Sequence, residues 1–439
     1  MYQAPSILQQ ARATLKKLRK ILNVGPAVLL SIIYLNKGKS SMAQDARAGR
    51  YVMQLEGYRA FIPSRLPPSP PLKLHSSDMQ MLLADANVAL GRLDGATSIL
   101  PNPDMFVAMY VRQEAVLSSQ IEGTQSTLED VLEFELSGAK RGAPKDVQEV
   151  VNYVKAMKYG LARIATLPVS LRLIREIHAK LLEGTRGGRR EPGEFRRSQN
   201  WIGPAGVTLA NATFVPPPVH EMNSALDNLE EFLHDRGSFV PLIHCGLAHA
   251  QFETIHPFLD GNGRVGRLLI TFLLCCRGVL SKPLLYLSHY FKAHRDEYYA
   301  RLMAIREKGD WEGWLAFFLK AVHEVSIEAN ETAKAIINMR EKHRKLISAT
   351  VSSSGYAVEL LDYLFEQPVV DVGTVERRIG HTYATANTLV EGLVHAGILT
   401  QITKGRRYRL FRYEPYLALF ADRGGPTSAP AGTTEGAQT

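Results

Sequence analysis

The sequence predicts a mainly α-helical protein, with a β-hairpin set into a helical core and a small unit of helices followed by a hairpin near its C-terminal end. Three observations carry that expectation. Apolar residues recur at helical spacing through most of residues 78–350. One stretch, 198–218, departs from that spacing and holds β-type residues, breakers at Gly203-Pro204 and Gly206, and the triple proline 216–218. Residues 356–420 read as three short helices closed by a basic hairpin.

Length and composition bound the rest. A chain of 439 residues is long enough for two or three domains and a sizeable core. The formal net charge of +9 favours anionic partners, meaning nucleotides, acidic proteins or nucleic acid, without choosing among them. Cys245, Cys275 and Cys276 all lie in apolar helical runs. They read as buried small hydrophobes of a reducing compartment rather than as a disulfide framework.

Residues 1–41 read unlike the remainder. Arg12, Lys16, Lys17, Arg19 and Lys20 precede an apolar run, 21–35, that is broken by Gly25-Pro26 and short for a membrane span. A secretory signal ending near Ser41-Met42-Ala43 competes with a translated leader ahead of a start at Met42. The leader is preferred, because unpaired cysteines belong in the reducing cytoplasm. Residues 42–100 then form an arm and a helix. The prolines within 63–71 exclude regular helix from the arm, and 78–93 is amphipathic. Pro103 opens a helix over 105–120, closed by Gly123 at its C′ position, and Ser118 and Glu122 share one face of it. Helices follow over 128–137, 146–166 and 170–182, then the loop GTRGGRREPG; farther along, 296–321 reads as one helix and 322–350 as a second, long and charged one.

The chain is organised around residues 249–267, HAQFETIHPFLDGNGRVGR. An apolar helix, 241–255, leads into His256-Pro257-Phe258, and a polar turn opens a second helix over 264–276. A helix start presents unpaired N–H groups and the positive end of the dipole to an anion. Gly261 and Gly263 let backbone approach a phosphate, and Arg264 and Arg267, three apart, each reach one of its oxygens. Asp260 is a hard oxygen ligand suited to Mg²⁺. His256 is the side chain suited to take a proton near neutral pH. A glycine turn between two core helices, with solvated arginines, is the bland alternative. A metal site from His249, His256 and Asp260 has none of the usual ligand spacings.

Residues 256–267, HPFLDGNGRVGR, match the Fic family signature HPFx(D/E)GNGRxxR without departure, and the chain resembles that family. The resemblance implies transfer of AMP from ATP, with Mg²⁺, to a Tyr, Thr or Ser hydroxyl of a target protein and of the chain itself. His256 would take the proton and Asp260 hold the metal. Gly261, Asn262 and Gly263 would face the phosphate oxygens, with Arg264 at the β-phosphate and Arg267 at the γ-phosphate. Residues 118–123 are similar to the family's inhibitory helix, (S/T)xxxE(G/N), so Ser118 and Glu122 would regulate, Glu122 by pairing with Arg267. The hairpin over 198–218 would be the family's flap, which aligns a target segment by strand addition, with Ala212, Thr213 and Phe214 on the nucleotide side. Tyr298 and Tyr299 sit where some relatives line the adenine pocket. Some of those carry Asn seven residues after the second tyrosine, where this chain has Arg306.

These readings divide the chain into a Fic domain over 101–325, a helical connector over 326–354, a winged helix-turn-helix unit over 355–420 and a disordered tail over 421–439. The winged unit's hairpin carries Lys404, Arg406, Arg407, Arg409 and Arg412, whereas its recognition helix offers only Thr385, Asn387 and Thr388. DNA through residues 384–412 and a homodimer are both open as partners; a membrane is not expected. Two rivals to AMP transfer stand: the same core either using Glu122 to orient water and strip AMP or acting as another nucleotidyl or phosphoryl transferase, and a nucleotide-sensing transcription regulator.

Overall fold

The structure, a computed structural model, describes residues 47–98, 103–137, 146–185, 188, 190–204, 206–351, 354–405 and 407–421. The leader read over 1–41, the tail from 422 and Arg406 lie outside them. Two strands come first, β1 Gly49–Met53 and β2 Arg59–Pro63, antiparallel with Tyr51 opposite Phe61. The arm thus opens as a hairpin as far as Pro63, which the sequence had not suggested, turned at Gly57, whose φ is 85°. Helices α1 Ser77–Ser98, α2 Pro103–Ile121, α3 Leu128–Ser137, α4 Val147–Arg163, α5 Leu171–Leu181 and α6 Val219–His234 follow. Then come α7 Pro241–Ile255, α8 Asn262–Cys276, α9 Ser288–Ala293, α10 Arg295–Lys308 and α11 Trp311–Thr350.

The core is laid around α7, which is apolar on every side and buried along nearly its whole length. Its polar side chains are placed against specific partners. His244 Nε2 meets Phe232 O at 2.7 Å, Gln251 donates to Ser64 O, and Thr254 to Ala250 O. His249 bridges Gly266 O and the Tyr298 hydroxyl. On another side α11 closes the core with Trp311, Trp314, Phe317 and Phe318.

Two expectations are corrected. The helix read over 296–321 breaks at Gly309, where φ is 68°, and Asp310 caps a new helix by accepting from Gly313 N. That new helix, α11, runs to Thr350 without a stop at 322 or at the connector boundary, because no Gly or Pro interrupts residues 320–350. The stretch 198–218 forms no regular hairpin. Its arms meet at a single antiparallel bridge, Ile202 with Phe214, and a 3-10 turn, Leu209–Asn211, fills the interval. Pro204 and the triple proline withhold the amides a longer ladder needs.

Beyond α11 lie α12 Ser354–Glu366, β3 Val369–Asp371, α13 Val372–Ile379, α14 Tyr383–His395, β4 Thr400–Gln401, β5 Leu410–Arg412 and α15 Glu414–Leu417. The three strands form a small antiparallel sheet in the order β3-β5-β4. Strand β3 was not legible in the sequence. This unit seats on α2: Arg112 donates to Glu366 O at 3.1 Å, Gln113 to Phe420 O at 3.2 Å, and Phe106 stacks on Phe365. Among the described residues no helix is long and apolar enough to cross a membrane.

Candidate active site

Helix α7 ends at His256, whose backbone turns left-handed, with φ 49° and ψ 60°. The chain then loops through residues 257–260, and Gly261 (φ 78°) starts α8. Asn262 fastens the loop: its Oδ1 accepts from Phe258 N and its Nδ2 donates to Phe258 O, both at 2.8 Å. Its side chain is thereby committed to the backbone of Phe258, and its own amide stands in the first turn of α8. His178 of α5 stacks on Phe258 at 3.7 Å and bonds Asp260 O, so the loop is braced from a second element.

Arg267, one turn into α8, is buried. Its Nε donates to Ser118 Oγ at 2.8 Å, and its Nη2 to Ser118 O at 2.9 Å and to Glu122 Oε1 at 2.7 Å. Both residues on the shared face of α2 thus meet Arg267, Glu122 in the pairing that the resemblance implied and Ser118 in contacts the sequence did not suggest. The Glu122 carboxylate also lies against Gly263, where a methyl group would come within 2.1 Å of Oε1. Burial pulls the Glu122 carboxyl upward, but the charge and hydrogen bond of Arg267, with Arg264 and His256 behind, bring it below its ordinary value. Arg295 fixes the end of α2 by donating to Ile121 O, with its guanidinium over the Tyr299 ring.

Arg264 is turned toward α4, where its Nη1 lies 3.0 Å from Glu149 Oε2, and its Nη2 is 3.4 Å from Asp260 Oδ1. The Asp260 side chain is 38% exposed, enough to reach a ligand. Among the described residues no three His, Cys, Asp or Glu side chains cluster as a metal cage. One carboxylate suits Mg²⁺, which is commonly held by one or two carboxylates together with substrate phosphates and water. Burial lowers the His256 imidazole to about 3, aided by the Arg306 and Arg196 charges and opposed by Glu122. Its Nδ1 is buried, and a hydrogen bond from the imidazole to the Glu253 backbone also favours the protonated form.

Tyr298 is buried, its hydroxyl held by His249, whereas Tyr299 is half-buried beside Arg295. Ala212 and Thr213 sit at the surface of the flap segment, and Phe214 is buried under the Arg306 guanidinium, 3.9 Å from its ring. Sequence reasoning missed Glu149, His178, Arg196, Asn200 and Glu253. Glu253 is a buried carboxyl beside Arg267, raised by burial to about 7, with one oxygen lacking a partner.

Comparison with known proteins agrees with this geometry. Residues 80–162 match the model of the Fic/DOC family N-terminal region, and 168–274 that of the Fic/DOC family itself. Protein adenylyltransferase Fic of Aedes aegypti is 32% identical over 176 residues, 38% of this chain and 31% of that protein. Its Drosophila grimshawi counterpart is 30% identical over 206 residues, 45% of this chain and 38% of that protein. The matched region spans about a third of the length of these curated relatives. The crystal structure of a Fic family protein from Desulfovibrio desulfuricans G20 shares the fold, with a TM-score of 0.50 at 20% identity over 77% of this chain and 96% of that one. With the HPFLDGNGRVGR loop, its helical frame and both matching regions in place, the chain belongs to the Fic/DOC family.

Proposed function

We propose that the chain is a protein adenylyltransferase, moving AMP from ATP to a Tyr, Thr or Ser hydroxyl of a target protein and of itself, and that Glu122 restrains it. The observation that carries this reading is the position of the Glu122 carboxylate. It lies against Gly263 in the first turn of α8 and 2.7 Å from Arg267, where the chain's own anion occupies the place a phosphate would take. The names of the relatives support the same chemistry.

In the proposed reaction the γ-phosphate displaces Glu122 from Arg267, and the first amides of α8 receive phosphate oxygens. A hydroxyl oxygen of the target bonds to the α-phosphorus as the bond from that phosphorus to the bridging oxygen breaks, and pyrophosphate leaves. Neutral His256 takes the hydroxyl proton. Asp260 would hold Mg²⁺, which when bound neutralises phosphate charge. Donors aimed at developing charge are worth about 10²–10³ in rate each. Cytoplasmic ATP is the proposed source.

We read α12–α14 with strands β4 and β5 as a winged helix. Arg409 of the wing bonds both Glu391 and Asn387 of α14, so a DNA contact would fall to Lys404 and Arg407, which are exposed. The test of the main reading is labelling of protein by ATP radioactive at its α-phosphate. Wild-type chain and the Glu122→Gly variant should label, and His256→Ala should not while still binding Mg·ATP. A chain that instead strips label from modified protein would support the hydrolytic rival.

A further inference from the structure

Arg196 has an unusual environment for a cation. It is 1% exposed, and no carboxylate among the described residues pairs with it. Each nitrogen of its guanidinium donates to a backbone carbonyl: Nε to His256 O at 3.1 Å, Nη1 to Ser198 O at 3.1 Å, and Nη2 to Pro217 O. Its own amide donates to Pro257 O at 2.9 Å. Ser198 and Pro217 are the two ends of the flap segment, so one planar guanidinium ties both arms of the flap to the residue that ends α7. Asn200 adds a second clamp, its Nδ2 donating to His256 O at 3.1 Å and Phe258 O at 2.8 Å.

The acceptor they share is the informative part. His256 is a non-glycine residue in the left-handed region, at a cost of roughly 1–2 kcal/mol. A left-handed residue turns its carbonyl out of the helix that it ends, and here two side chains receive that oxygen. Burying a cation with only neutral acceptors is itself unfavourable, and burial lowers the Arg196 guanidinium to about 10. The arrangement is therefore not explained as a stabilising ion pair. It is explained if the conformation of His256 is what must be kept.

We infer that Arg196 and Asn200 are positioning residues for His256: they hold its backbone left-handed and join it to both arms of the flap, so that the base and the segment that would align the target move as one piece. This rests on the adenylyltransferase reading above. Without the clamps, α7 can relax toward right-handed geometry at its last residue, carrying the imidazole away from the attacking hydroxyl while the phosphate site at α8 stays intact.

The test uses the full chain in the Glu122→Gly background, with Asn200→Ala, Arg196→Lys and Arg196→Gln. Single-turnover transfer, Mg·ATP affinity by calorimetry and thermal melting are measured for each, with a crystal structure of Asn200→Ala. The rate should fall about 10- to 100-fold, as expected of a misplaced reacting group, while Mg·ATP affinity changes by less than about three-fold. Arg196→Lys should recover only part of what Arg196→Gln loses, because an ammonium is a point charge without the fork. A folded Asn200→Ala variant that transfers at the parental rate would overturn the inference. So would loss of rate and nucleotide affinity together, which marks a merely structural role. If the Arg196 variants do not melt cooperatively, Asn200→Ala decides alone, its side chain being only half-buried. If the parent Glu122→Gly chain transfers nothing, the adenylyltransferase reading fails. The His256 φ in the Asn200→Ala crystal then decides the positioning role, and an unchanged left-handed φ overturns it.

Discussion

Arg264 and Glu149 form a closed pair: Nη1 stands 3.0 Å from Oε2, and the two side chains are 5% and 7% exposed. The carboxylate comes from α4, 115 residues away, and aims the arginine beside the phosphate turn. Removing one partner of a buried pair costs up to about 3–5 kcal/mol when the other charge is left uncompensated, and Asp260, 3.4 Å from Arg264 Nη2, offsets part of that here. Glu149→Ala should lower the urea midpoint accordingly and weaken Mg·ATP binding. A variant with the parental midpoint would show that Arg264 is satisfied without Glu149.

An imidazole serves as a base only when neutral. Burial, reinforced by Arg306 and Arg196, keeps His256 near 3 against the pull of Glu122, below an ordinary value of 6.5. The neutral form is therefore retained as pH falls through 6.5 and is lost only near the lowered value. In the Glu122→Gly chain, kcat/KM for labelling should show no loss from this group between about pH 8 and about pH 5. Removing Glu122, which favours the protonated form, shifts that limb further to acid. An acid limb centred on 6.5 would mean that His256 is not held as described.

Much of the site was legible because one loop concentrates it. Residues 256–267 give the turn, the helix start, the carboxylate and both arginines in contiguous sequence, and Ser118 and Glu122 gave their shared face by spacing alone. The supports were hidden for a physical reason. Glu149, Arg196 and Asn200 act on groups 115, 60 and 56 residues distant, and no local periodicity encodes a partner so far along the chain. The end of the helix before α11 was misplaced because composition changes near residue 322, whereas the backbone breaks at the left-handed Gly309. The flap was read correctly as non-helical but too regularly, since its prolines leave only one bridge. Asn262 stands out by its motif position, but that its side chain is spent at both ends on Phe258 shows only in the fold.

If the C-terminal unit binds DNA through its wing, Lys404→Ala with Arg407→Ala should weaken binding uniformly across sequences and flatten its salt dependence. Arg409 is the poorer target, being engaged by Glu391 and Asn387. Gel retardation of the full chain at low salt, repeated with the double variant, is the measurement. No retardation by the wild-type chain would remove the regulator reading and leave this unit a protein contact.

The Glu122 contact makes the sharpest prediction. On the proposed reading, the γ-phosphate would meet a negative charge where it needs Arg267, which Glu122 now holds, and the α-phosphate would be kept out of line for attack. A reacting group misplaced by about 1 Å can cost about 10²-fold in rate. Glu122→Gly should therefore raise self-labelling by roughly ten-fold or more. Glu122→Gln separates the two components of the restraint. If charge is the obstacle, Gln should activate nearly as well as Gly. If bulk against Gly263 is the obstacle, Gln should remain restrained, because it fills the space beside the first turn of α8 that Glu122 fills now. Ser118→Ala tests the other half of the grip: it removes the acceptor of Arg267 Nε while the Ser118 carbonyl and Glu122 still hold Nη2, so it should activate less than Glu122→Gly. Arg267→Ala should be inactive even beside Glu122→Gly, since the γ-phosphate then has no guanidinium to replace the one Glu122 held. Self-labelling by Glu122→Gly no greater than wild type would return Glu122 to an ordinary helix-end carboxylate with a stabilising partner.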